Sequence, residues 1–168
     1  MELLAGRATV EDLDDFVDRL GAIADEHGTT VQAFDPRYVV DREHLERAVD
    51  LADRAIERNE AIADDRAMEI ICYVAGTRQI REALAIGVSR GESVPIIVLV
   101  DGGDETSALD SIEPMLDETG ETSGVRVGDY DEDRVRAFFE IGDAELGATD
   151  AGLPALVRER VALLVVER

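Results

Sequence analysis

Cys72, His27, His44, the carboxylate pairs and two glycine-containing segments are the parts of this chain whose residue types could do chemistry. Cys72 is the one cysteine, and it sits inside the apolar run from Met68 to Ala75 with no base at a recognisable spacing, so a reduced, buried thiol is expected rather than a nucleophile. Neither histidine has a Cys or His at a ligand spacing, which predicts no metal site. His44 falls in the first turn of a helical pattern, where packing or capping is its role. No serine lies in a nucleophile-elbow pattern. A phosphate-binding loop with its lysine is excluded, because all 17 cations of the chain are arginine. Acidic pairs such as Glu11-Asp12, Asp14-Asp15 and Asp64-Asp65 recur along the whole chain, and in so acidic a sequence they read as solvated surface. No catalytic residue and no cofactor are expected.

Three segments stand out from this background. Val98-Leu99-Val100-Asp101-Gly102-Gly103 imitates the strand-to-glycine turn of a nucleotide site. It lacks the three-glycine spacing, and Asp101, Asp104 and Glu105 would repel a phosphate, so it reads as a tight strand-to-helix turn. Gly76-Thr77-Arg78-Gln79-Ile80-Arg81 is more promising: a glycine before a helix start offers free N–H groups, and Arg78 and Arg81 lie one turn apart, within reach of one anion. The plainer reading of that segment is a capped helix with solvated arginines and an Arg78–Glu82 pair, and residues alone favour it. The last segment carries one apolar stripe, Leu153, Leu156, Val157, Val161, Leu164 and Val165, while Ala162, Leu163 and Val166 add apolar surface on another side. A helix apolar nearly all round is buried or docks a partner, and a strand from Val161 to Val166 is the remaining option.

The elements that must position these residues follow from periodicity. A strand is expected over 2–8, then a helix capped by Thr9 with Leu13, Phe16, Val17, Leu20 and Ile23 on one face and Gly28 as its stop. Val31 to Phe34 reads as a second strand closed by Asp35-Pro36. Asp41 caps the clearest helix, with Leu45, Ala48, Val49, Ala52, Ala55 and Ile56 at helical spacing. Periodicity leaves Met68 to Ala75 open between strand and helix, and Asp64-Asp65 in front of it favours helix. Thr77 is placed to cap a short helix bearing Ile80, Ala83 and Leu84 and ended by Gly87. Val94 to Val100 is a strand, Ala108 to Leu116 a helix interrupted at Pro114, and Val125 to Val127 a further short strand. Asp131 opens a helix with Val135, Phe138 and Phe139 that stops at Gly142. A helical turn follows at Leu146, and the last helix, with Pro154 near its start, runs to the C-terminus. The expected fold is α+β: one mixed domain over 1–168, a three- to four-stranded sheet, many helices and a C-terminal helix.

Composition sets the environment. The chain has 168 residues, 39 acids against 17 cations, and a formal charge of −22. With regular apolar periodicity throughout, this charge describes a folded protein adapted to molar salt, where screening shrinks to about 3 Å. No apolar stretch is long enough to cross a bilayer, and the start of the chain lacks the pattern of a secretory signal, so a cytoplasmic location is expected.

With these elements in hand the chain resembles a known family. Phe34-Asp35-Pro36 leading to Val39-Val40, then His44-Leu45 and the alanine-rich helix to Ile56, Glu69-Ile70-Ile71, Gly76-Thr77-Arg78-Gln79-Ile80 with Ala83-Leu84, and the Val94 to Val100 strand occur in the family's order. The family is that of the small KEOPS subunit known in animals as the PRPK-binding protein. A weaker similarity runs on through Glu145-Leu146-Gly147 and the last helix. The resemblance implies a non-catalytic regulatory subunit that binds the kinase subunit of KEOPS directly and meets the threonylcarbamoyl-transferase subunit through the complex. It implies support of threonylcarbamoyladenosine formation in ANN-decoding tRNAs, here in a salt-loving archaeon. Under it, Gly76, Thr77, Arg78, Gln79, Ile80 and Arg81 become the candidate contact for the tRNA acceptor end. Val161, Leu163, Leu164, Val165 and Val166 become the candidate kinase interface. The absence of lysine departs from a basic RNA path. Two alternatives stand beside this reading: a small α/β nucleotide-binding enzyme built on Val94 to Gly103, and a stand-alone oligomeric ligand-sensing domain that pairs through its last helix.

Overall fold

The computed structural model describes residues 1–166, and the chain divides into two compact units, each assembled from sequence-distant pieces. The first unit comprises Met1–Pro36 and Gly87–Val127, and the second comprises Arg37–Ile86 together with the stretch from Gly128 onward.

In the first unit, β1 (Glu2–Val10), β2 (Thr30–Phe34), β3 (Gly91–Asp101) and β4 (Glu118–Thr119) form an antiparallel sheet in the order β2-β3-β1-β4. Helices α1 (Leu13–His27) and α5 (Glu105–Ile112) bring Phe16, Leu20, Ala24, Ala108 and Ile112 into one core with Ala8, Val10, Val31, Ala33, Ile96, Val98 and Val100. Every residue from Ile96 to Val100 is buried, which is why this run shows no polar alternation. Pro95 pairs with Arg7 at a level that β2 does not reach, where a missing donor costs little.

Two expectations fail here, both because a nearby side chain takes the backbone elsewhere. Asp12, not Thr9, caps α1 through the Asp15 N–H. Strand β1 continues past Thr9 through an irregularity between Ala8 and Val10, and the Thr9 hydroxyl donates to Asp117 at 2.7 Å. The strand expected over Val125 to Val127 is absent: the fourth strand is Glu118–Thr119, followed by a 3-10 turn over Gly120–Ser123. There the Ser123 hydroxyl accepts the Val125 N–H, so a lone buried valine anchors a turn rather than a ladder. Pro114 interrupts α5 as expected, opening a 3-10 turn over Glu113–Met115.

The second unit is helical: α2 (Arg42–Glu57), α3 (Arg66–Ala75), α4 (Ile80–Ala83), α6 (Glu132–Phe138), α7 (Asp143–Gly147) and α8 (Gly152–Leu163). Asp41 and Asp65 cap α2 and α3, confirming helix for the ambiguous run. Ala48 and Ala52 are fully buried on α2, so small side chains let α3 and α8 pack closely against it. A second cluster joins Val40 and Val135 to Phe139, Leu153, Leu156 and Val157. The last helix ends at Leu163 and residues 164–166 form a turn. Its expected continuation to the C-terminus falls in part on Glu167 and Arg168, which lie outside the described residues. The fold class is α+β, with a small four-stranded sheet and a majority of helix, as the sequence predicts.

Candidate functional site

The polar groups that could do chemistry are committed to structure. His44 is fully buried: its Nε2–H donates to the Val74 carbonyl at 2.8 Å, and Nδ1 accepts the Val40 N–H at 3.3 Å. Burial pushes its pKa down from 6.5 to about 4, against the opposing bond to Val74, so the ring is neutral. Cys72 is equally inert, since burial, helped by the nearby Glu69 carboxylate, pushes its thiol up to about 11. Buried Glu69 accepts the Ile62 N–H at 2.7 Å and the Ala63 N–H, closing the loop before α3.

The glycine pair that imitates a nucleotide loop also has another purpose. At Gly103 (φ +58) an added Cβ would lie 2.1 Å from the Gly28 carbonyl, so glycine is needed for backbone approach. The loop donors are taken as well: Gly102 N–H by Glu105, Asp104 N–H by the His27 carbonyl, and Ser107 N–H by Asp104. A shallow depression lined by Thr9, Glu11, Asp12, Asp15, Phe16 and Arg19 is acidic and open. No group of three or more His, Cys, Asp or Glu residues among the described residues could hold a metal. No helix among them is long and apolar enough to cross a membrane.

The two segments singled out in the sequence both lie in the second unit. Gly76 ends α3 in the left-handed region (φ +63), where its N–H and that of Thr77 return to the Tyr73 and Cys72 carbonyls. Thr77 does not cap the next helix as expected: the N-cap is Gln79, without a side-chain cap bond, and the Thr77 hydroxyl instead accepts the Gln79 N–H at 3.1 Å and donates to Glu82 at 3.0 Å, outside the cap position. The expected Arg78–Glu82 pair is not formed among the described residues. Arg78 and Arg81 are exposed and have no hydrogen-bonded or ionic partner among the described residues. Helix α4 has only four residues, so its dipole is weak and any grip on an anion rests on the two guanidinium groups. Ile80 is 39% exposed and Leu84, one turn on, is 52% exposed, whereas Ala83 is buried. Leu84 was missing from the sequence-derived site; its four-residue spacing from Ile80 was the available signal.

The last segment resolves into two faces. Val161 and Leu164 are buried and belong to the core of the unit, Val165 is half-buried, and Leu163 and Val166 are 39% and 77% exposed. Helix α8 is held by arginine: Arg158 pairs with Asp41 and lies 3.5 Å from Glu43, while Arg160 forks onto Glu145 at 2.6 and 2.7 Å.

The fold thus defines a small α+β protein with an exposed arginine pair after α3 and an exposed apolar side at the end of α8. The family model described as kinase binding protein CGI-121 matches residues 9–164, and the chain belongs to that family. No curated protein matches the chain.

Proposed function

We propose that this chain is the non-catalytic regulatory subunit of KEOPS, docking directly on the complex's kinase subunit and supporting threonylcarbamoyladenosine formation in ANN-decoding tRNAs. The match of a kinase-binding family over residues 9–164 carries this reading. The docking surface is assigned to the exposed side of the α8 end, Leu163 and Val166 with half-buried Val165. Val161 and Leu164 support it from within. An apolar side chain 77% exposed beside a helix end gains from being covered, which favours this side.

The tRNA acceptor end is assigned to Gly76 through Arg81. The support is chemical: in a chain with 39 acids and 17 arginines, two exposed arginines three residues apart without a carboxylate partner among the described residues can be shared by one phosphate. Ile80 and Leu84 beside them give an apolar ledge for unstacked terminal bases. The cell of origin is a salt-loving archaeon and the location cytoplasmic, in keeping with the −22 charge. Affinity purification of the tagged chain from its native cell at molar salt should recover the kinase and, through the complex, the threonylcarbamoyl-transferase subunit. Recovery of neither refutes the assignment.

A further inference from the structure

Gly76 lies beside both the last helix and the Phe139 ring at the end of α6. A Cβ placed on it would lie 3.5 Å from the Arg160 carbonyl oxygen and 3.7 Å from the Phe139 ring, so both groups line the space beside it. One side chain fixes both supports. The Arg160 guanidinium donates to the Phe139 carbonyl at 3.2 Å and the Glu140 carbonyl at 3.4 Å, and it takes both Glu145 oxygens at 2.6 and 2.7 Å. Glu140 stands at φ +55, a conformation a side-chain-bearing residue rarely adopts, and the far end of this turn is held by Arg136, whose guanidinium donates to the Ile141 carbonyl at 3.3 Å. The Phe139 ring also meets His44 edge to face at 6.0 Å, and His44 holds the Val74 carbonyl just before Gly76.

We propose that Arg160, forked on Glu145, is a positioning residue that seats Gly76 and thereby aims the Arg78–Arg81 segment at its ligand. Neither residue touches the ligand. Their effect passes through the Phe139 turn and the α8 backbone to the Gly76 hinge. The ligand side of this inference rests on the tRNA reading above; the seating itself does not.

The discriminating variant is Glu145→Gln. An amide turns one N–H toward the guanidinium and breaks the two-bond fork. It also removes a negative charge, so electrostatics alone predicts tighter RNA binding, whereas loss of the seat predicts weaker binding. On the full chain at matched high salt, hydrogen exchange at the Gly76 and Thr77 amides should accelerate about tenfold, while β1 and β3 amides keep their rates. Affinity for whole tRNA should fall about tenfold. The charge swap Glu145→Arg with Arg160→Glu should restore neither, because a carboxylate at position 160 cannot donate to the Phe139 and Glu140 carbonyls. Unchanged exchange at Gly76 and Thr77 overturns the seat, whatever RNA does. Accelerated exchange with undiminished tRNA affinity, where Arg78→Glu with Arg81→Glu abolishes binding, overturns the aiming role. If that double variant also binds tRNA like wild type, the RNA reading fails, and accelerated exchange still upholds the seat.

Discussion

His44 shows how far one side chain's setting departs from its ordinary chemistry. The fold keeps it neutral, with a pKa lowered from 6.5 to about 4. Between those values the unfolded chain binds a proton that the folded chain does not, so stability rises with pH across that window. Lowering the pH from 6.5 to 4 should remove about 3 kcal/mol at this site. Urea titrations at stepped pH check this: the wild-type loss should exceed that of His44→Gln, and parallel curves would exclude His44 as the cause. Arg78 and Arg81 are read at the same scale. Substituting both with Glu places two more acids where a phosphate would sit, and should abolish tRNA binding while leaving kinase docking intact. Undiminished binding at matched salt would make the segment a solvated surface turn.

At the scale of elements, α8 is the informative one because its two sides make opposite predictions. Leu164 is 1% exposed, so Leu164→Glu puts a charge into the core, costs several kcal/mol and should unfold the second unit. Leu163→Glu with Val166→Glu places charges on solvent-facing positions. Circular dichroism should show that this variant folds, and pull-down should show that it no longer binds the kinase. A folded variant that still binds the kinase normally would move the docking surface off this helix end. Helix α2 illustrates why the elements pack as they do: its alanines bury without side-chain entropy loss and substitute close helix approach for the aromatic bulk that the composition lacks.

At the scale of the whole molecule, the −22 charge is the dominant fact. Ion pairs such as Arg42–Glu46, Arg54–Asp50 and Arg66–Asp53 neutralise only part of it. The remainder repels itself and any nucleic acid, and screening over about 3 Å at molar salt mutes both effects. The melting temperature should therefore rise as KCl is raised from about 0.1 M to molar concentrations. Binding of tRNA should strengthen over the same range wherever the chain stays folded, opposite to the trend set by counterion release. A fall in affinity with salt would mean that a basic path outweighs the acidic surface.

Periodicity and caps made most elements legible in advance. Asp41, Asp65 and Gly28 carry their own instructions, because a cap acts over three or four residues of its own chain. The ordered family motifs were legible too, and they gave the kinase-binding family. Other features were decided in three dimensions. Thr9 bonded to Asp117 instead of capping, Val125 joined a turn, and Gly103 proved necessary because Gly28 comes within contact of it. Which of Val161, Leu163, Leu164 and Val166 would face solvent was equally undetermined, since a helix apolar nearly all round does not announce its buried side. That side was set by where α2 and α3 lay. That Arg78 has no side-chain partner among the described residues was likewise not legible, and the Arg160 clasp depended on residues far apart in sequence meeting at one guanidinium. Local hydrogen bonds and spacing are written along the chain; burial and pairing are properties of what the rest of the chain brings alongside.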